Sequence, residues 1–237
     1  MGKFSSKQIV FIALASVVLL GCIQFFYPFI PLIQLSELGI SPKPEDVQKH
    51  RTAYLEFYSL NGTILFAAIG LALAISIGNS FSRRRLTGIL AGAIAGVALG
   101  ATGGYFAGLM VHQTTWLSQD ESIGRNFGIH LVAWGPTIIG AVAGVSFTQF
   151  GLTKAIIISV ASFIPAIMVV ASYCLATSLV FFNNSSTQLL PNQVSQRVLW
   201  IFTASISFAL GLKLTVDAIG RAPNSEPIHP QTDKPKL

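Results

Sequence analysis

The chain has 237 residues, 52% of them hydrophobic and only 10% charged, with a formal net charge of +6 and a mean hydropathy of +0.65. Soluble domains carry roughly 25% charged residues, so the composition excludes an ordinary soluble domain and points to an all-α integral membrane protein with one membrane domain. The two cysteines, Cys22 and Cys174, lie in apolar runs without CxxC or metal-type spacing, which excludes a disulfide framework or a redox pair.

Residues 1–8 are polar and carry Lys3 and Lys7, and an apolar run follows over about 9–33, the first expected span. Leu19-Leu20-Gly21-Cys22 resembles a bacterial lipoprotein cleavage box. Against cleavage, apolar sequence continues through Phe25, Phe26, Tyr27, Phe29 and Ile30, which suits an uncleaved, tilted span better than a short signal core. Met1-Gly2 with Ser6 also fits the loose myristoylation pattern, which a spanning protein has little need of. Pro28 and Pro31 should end or kink this helix.

A polar connection over 34–52 contains Pro44-Glu45-Asp46, a possible start for a short amphipathic segment, and the second span is expected over about 53–77. A tight loop with Arg83, Arg84 and Arg85 leads to a third span over about 86–111. After a polar stretch with Asp120 and Glu121, spans are expected over about 126–147, 155–181 and 198–214, the last two separated by a neutral loop rich in Asn, Ser and Gln. The membrane domain thus covers 1–220, and 221–237, with four prolines and almost nothing apolar, reads as a disordered cytoplasmic tail.

Six spans put both termini on one side. Ten Lys and Arg fall on that side and five on the other, with six of the nine acids also on the other. The positive-inside rule then makes both termini cytoplasmic, in a plasma membrane of bacterial type, and accounts for the net charge without nucleic-acid binding.

The third span carries the clearest pattern. Gly88, Gly92, Gly96, Gly100, Gly104 and Gly108 recur at every fourth position, with no charge between them. Five such steps make about 30 Å of helix, the thickness of a bilayer's hydrocarbon core. In lipid the backbone has no alternative hydrogen-bond partner and stays helical, and the glycines admit another backbone closely. Four residues turn a helix by about 400°, so the stripe drifts about 40° per step and wanders half-way round. At least two neighbours are therefore expected, one early and one late, with this glycine-zipper helix central to the bundle. Replacement of Gly96 or Gly100 by Leu should do most damage, by Ala less, and Leu90→Ile least. A glycine zipper of this kind resembles helices in several channel and assembly proteins, a likeness confined to one helix.

Few ionisable groups could carry chemistry. Glu56, His112 and His130 all lie near the external ends of their spans, and Asn126, His130 and Trp134 share one helix face. They could converge on an external ligand, metal or proton site. Without a local HxxxH or HxxE pattern, an interfacial polar belt is the favoured reading. Lys213 and Asp217 read as an ordinary i,i+4 pair. The three arginines anchor a cytoplasmic hairpin and could hold an anionic lipid headgroup.

Pro136 and Pro165 lie near the midplane of the fourth and fifth spans, and each strips the helical hydrogen bond from the carbonyl four residues before it, at Val132 and Ala161. Interrupted helices in neighbouring spans point to a small-solute transporter or channel, but no charged residue accompanies them at the midplane. Enzyme readings lack parts. Gly144-Val145-Ser146-Phe147-Thr148 has no closing glycine for a nucleophile turn, and there is no HExxH and no phosphate-cradling GxxxxGK loop. The sequence therefore reads as non-enzymatic, without cofactor, and structural or assembly in role, with the bilayer, anionic lipids and a second copy or another membrane protein as partners. A transporter or channel, and an external sensor, are the competing readings.

Overall fold

A computed structural model describes residues 5–26, 43–81, 85–116, 123–180, 189 and 193–221. They form α1 (Ser6–Phe26), α2 (Pro44–Gly78), α3 (Arg85–Trp116), α4 (Ile123–Phe150), α5 (Leu152–Ala161), α6 (Phe163–Val180) and α7 (Val194–Arg221). With α5 and α6 taken as one interrupted span, six segments are long and apolar enough to cross a membrane. The chain is a multi-pass membrane protein.

Some boundaries differ from the sequence reading. The segment opened by Pro44 is not separate from the second span. Pro44, Glu45 and Asp46 form the first turn of one 35-residue helix, the position where proline's fixed φ and missing N–H cost least and where acids favour the helix dipole. The expected fifth span is one apolar segment, Leu152–Val180, in which α5 passes into α6 through Ser162, one turn before Pro165. The Ser162 N–H keeps the helical bond to the Ile158 carbonyl at 2.8 Å and is shared with Ser159 at 3.2 Å, and the Ser162 carbonyl accepts from the Ala166 N–H at 3.4 Å. Between α4 and α5 the chain reverses at Gly151, whose φ of 80° suits a residue without a Cβ. Residues 27–33, Arg83, Arg84 and the tail beyond Arg221 lie outside the described residues.

Successive spans run up and down. Gln8 at the start of α1 donates its side-chain amide to the Ser80 carbonyl just past α2, 3.1 Å away, so these helices are antiparallel. At the opposite end, Arg197 of α7 donates to the Gln24 carbonyl of α1 at 3.3 Å. Below, the face holding the start of α1 and the end of α7 is the terminal face, and the opposite one the far face.

The tightest packing joins α2, α3 and α4. A Cβ built on Gly62 or Gly70 of α2 would strike the Gly104 or Gly96 carbonyl of α3, and one on Gly100 or Gly108 would strike the Phe66 or Tyr58 carbonyl of α2. Each step of four along α3 is met by a step of four, run backwards, along α2. The earlier glycines of α3 look toward α4: a Cβ on Gly92 would come within 2.6 Å of Val145 Cγ2, and one on Gly88 within 2.9 Å of Gln149 Nε2. From α4, Gly140 and Gly144 meet the Ala95 and Ala91 carbonyls of α3.

The rest of α3 faces outward. Leu86, Leu90, Ile94, Val97, Tyr105 and Phe106 are all exposed on its surface. The most enclosed spans are instead α2 and α4, and α4 touches α2, α3, α5 and α6. A glycine helix buries its backbone more than its side chains, so close contact on one face leaves the large residues of the other for lipid. The large core side chains accordingly come from other helices, among them Leu65, Phe66, Ile69, Trp134, Ile138 and Phe208, while α3 adds small residues such as Ala107 and Val111.

This geometry changes the expected order of glycine substitutions. At Gly96 even one methyl falls 2.7 Å from the Gly70 carbonyl oxygen, a backbone atom that cannot swing aside. Gly96→Ala and Gly100→Ala should each lower stability in detergent by about 1–3 kcal/mol, and the Leu variants by more. Gly128→Ala, with nothing within 4 Å of the added carbon, should be neutral or slightly stabilising through helix propensity. Thermal unfolding of the three variants side by side checks this order.

Candidate functional site

Pro136 and Pro165 free the two carbonyls expected from the sequence, and both are covered by protein. Thr215 Oγ1 of α7 lies 3.3 Å from the Ala161 carbonyl oxygen that Pro165 leaves bare, while also donating to its own Gly211 carbonyl at 2.9 Å. This approach depends on Gly211, where a Cβ would fall 2.5 Å from Pro165 Cα. On α4, the Val132 carbonyl freed by Pro136 lies against Gly103 of α3, where a Cβ would sit 2.7 Å from it. The hydrogen that glycine carries in that direction points at the oxygen, a Cα–H···O contact of the kind that recurs between close helices. Pro136 lies within α4 without breaking it, and near Pro165 the chain passes from α5 to α6 through Ser162, whose backbone stays in the right-handed helical region.

A second set of polar groups lies inside the bundle toward the far face. His130 is fully buried, its ring edge-to-face on Tyr173 of α6 at 5.1 Å. Asn126, one turn earlier on α4, and His112 of α3 are also buried. Deeper in, Trp134 joins Phe66 of α2 at 5.6 Å and Trp200 of α7 at 5.1 Å, an aromatic column crossing three helices. Leu189, from the segment between α6 and α7, is buried with its Cδ1 3.2 Å from where a Cβ on Gly62 would be. Among the described residues this layer combines aromatic, imidazole and amide side chains with aliphatic ones such as Ile129 and Leu189.

The three ionisable residues singled out in the sequence are divided by this arrangement. His112 and His130 are buried, and Glu56 is exposed on α2. Among the described residues, no three His, Cys, Asp or Glu side chains gather to hold a metal ion. His130 therefore differs from a boundary residue open to water. The helical turn before it, carrying Asn126 and Phe127, is drawn into the bundle, so nearness to a span's end did not translate into exposure. At the terminal face Lys213 and Asp217 form the i,i+4 ion pair expected of them, and Arg85 donates to Asn79 Oδ1 across the α2–α3 turn at 2.5 Å.

Several site residues have weak or no sequence signals. Ile12, Ser16, Leu20 and Gln24 form the buried face of α1 at spacing four, a pattern hidden because the helix is apolar all round. The Ser16, Gln24, Trp200 and Ser205 side chains, all essentially inaccessible, have polar atoms with no hydrogen-bond partner among the described residues. All four are on α1 or α7. On the α6–α7 seam, by contrast, Ser172 and Ser207 bond each other at 2.7 Å.

The chain matches no protein-family model, no curated protein and no solved structure.

Two measurements follow from this geometry. Thr215→Val keeps the shape but removes the hydroxyl over Ala161, and should lower stability by about 0.5–1.5 kcal/mol while Thr215→Ser restores most of it. In a chain with Cys22 and Cys174 replaced by Ala, Glu56→Cys should react readily with a polar maleimide in detergent and His130→Cys should not. Equal reactivity would contradict the burial of His130.

Proposed function

We propose that this chain is a non-enzymatic multi-pass membrane protein with a packing or assembly role, in which the glycines of α3 form a seam that locks α2, α3 and α4 into one rigid unit. The observation that carries this reading is the closure of the two proline-freed carbonyls, at Val132 by Gly103 and at Ala161 by Thr215. In a transporter built on interrupted helices, such carbonyls face substrate or coupling ion. Here other helices take them up. A unit in which backbones touch along their length also resists the rocking that alternating access requires. The outward face of α3, with Leu90, Ile94, Tyr105 and Phe106, is where a second copy or another membrane protein would dock. Arg83, Arg84 and Arg85 would meet anionic headgroups in the leaflet of the terminal face, with both termini in the cytoplasm and the plasma membrane as the compartment.

The small-solute reading is kept for one observation, four buried polar side chains on α1 and α7 that have no hydrogen-bond partner among the described residues. Buried amides and hydroxyls without partners favour water or a small neutral solute beside them. Reconstituted liposomes separate the two readings. Shrinkage and recovery after an osmotic step with glycerol or urea should match protein-free vesicles, and faster recovery that is lost in Gln24→Leu would establish the solute pathway instead. A reporter fused after Gly220 should be active in the cytoplasm. Activity only in the external compartment would reverse the topology.

A further inference from the structure

On the outer surface of the bundle, an open groove of about 370 Å³ runs between α1 and α7. Val18, Gly21 and Phe25 form one side and Val198, Ile201 and Phe202 the other, and the wall is almost wholly apolar. Gly21 keeps it open: a Cβ built there would meet nothing within 4 Å. The groove follows α1 for two turns, about 12 Å, in the leaflet of the far face, whose hydrocarbon is about 15 Å deep. At its far end stands Arg197. This residue precedes Val198 of the groove wall, lies one turn from Ile201 on the same helix face, and donates to the Gln24 carbonyl between Cys22 and Phe25. A guanidinium thus lies at the far-face end of the two helices that wall this apolar slot.

We propose that this groove is a binding site for one glycerophospholipid of the far leaflet, with an acyl chain between α1 and α7 and the phosphate on Arg197. Burial of the chain from water supplies no selectivity, since lipid tails are as apolar as the groove. Two other effects distinguish the site from ordinary surface lipid. A chain seated in the groove gains dispersion contacts on both sides, where a flat helix surface gives one. The guanidinium, which gives one Nη1–H to the Gln24 carbonyl, is a planar group of the geometry that suits phosphate and remains charged at any physiological pH. Headgroup recognition by basic residues between membrane helices follows the same physics. The inference is independent of the packing reading, because the groove lies outside the glycine-packed unit.

The test uses the full chain in mild detergent with dioleoyl phosphatidylglycerol as probe, read by native mass spectrometry. The wild type should retain one lipid after excess has been removed. Gly21→Trp, which fills the slot, should lose it, and Arg197→Gln should bind about ten-fold more weakly while Arg197→Lys keeps part of the affinity. Retention in Gly21→Trp equal to wild type would overturn the proposal, as would a change in the oligomeric state of that variant with lipid unchanged, which would make the groove a contact between copies. A measurement on the unmutated protein guards against misfolded variants. Cys22 lines the groove and is exposed, whereas Cys174 is buried, so phosphatidylglycerol should slow alkylation of Cys22 by N-ethylmaleimide. An alkylation rate unaffected by the lipid would also overturn the proposal.

Discussion

The packing of this bundle depends on a constraint particular to lipid: a backbone carbonyl in the membrane interior must meet something of the protein's own. Helical hydrogen bonds satisfy most of them. What remains is the freedom to bring one helix's carbonyls against the Cα atoms of another, and only glycine permits that approach. Between α2 and α3 the paired positions Gly62 with Gly104 and Gly70 with Gly96 exploit it in both directions, each glycine receiving its partner's carbonyl. Association in the membrane cannot rely on expelling water, so dispersion and weak Cα–H···O contacts over a long, close seam must supply the attraction. The seam then fixes the positions of the helices that bear the larger core and the buried polar residues.

The same logic extends to the prolines. A kinked helix exposes a carbonyl, and the bundle can use that carbonyl for function or cover it. Pro136 and Pro165 are both covered, by unlike means: a glycine face on one side and a threonine hydroxyl on the other. The difference follows from the neighbours. The α3–α4 approach is close enough for Gly103 to reach Val132 directly. On the α6–α7 side, Gly211 brings α7 near the proline, and the next turn carries Thr215 to the carbonyl. Proline and small polar residues on adjacent helices thus form complementary pairs. Their presence argues for a fixed bend as readily as for a mobile one.

Much of this was legible in the residues because lipid makes the code simple. Number and approximate placement of the spans follow from apolar length alone, and the drift of a four-residue glycine repeat anticipates one contact with α4 early and another with α2 late. The Ala161 and Val132 carbonyls were identifiable from proline chemistry, but their partners were not. Thr215 and Gly103 are brought there by tertiary packing that leaves no local mark. The partner glycines of α2 were visible at every eighth position, Gly62, Gly70 and Gly78, yet the intervening Phe66 and Ala74 break the four-residue rhythm. The buried face of α1 was illegible for a physical reason. Lipid and core are both apolar, so hydropathy cannot tell which side turns inward. Burial of His130 escaped notice for the converse reason: sequence reports depth along the membrane normal, not rotation about the helix axis.

Hydroxyls in the bundle meet their hydrogen-bonding demand in more than one way. In the unit formed by α2, α3 and α4, small residues let backbones meet, and hydroxyls such as those of Ser76 and Thr137 bond back to carbonyls of their own helix, at 2.9 and 2.6 Å. Along α1 and α7, Ser16, Gln24, Trp200 and Ser205 are buried without such closure. An unsatisfied buried group costs more than a satisfied one returns, so water or a small polar partner that reached these four side chains would relieve a cost that the helix-internal bonds of Ser76 and Thr137 have already met.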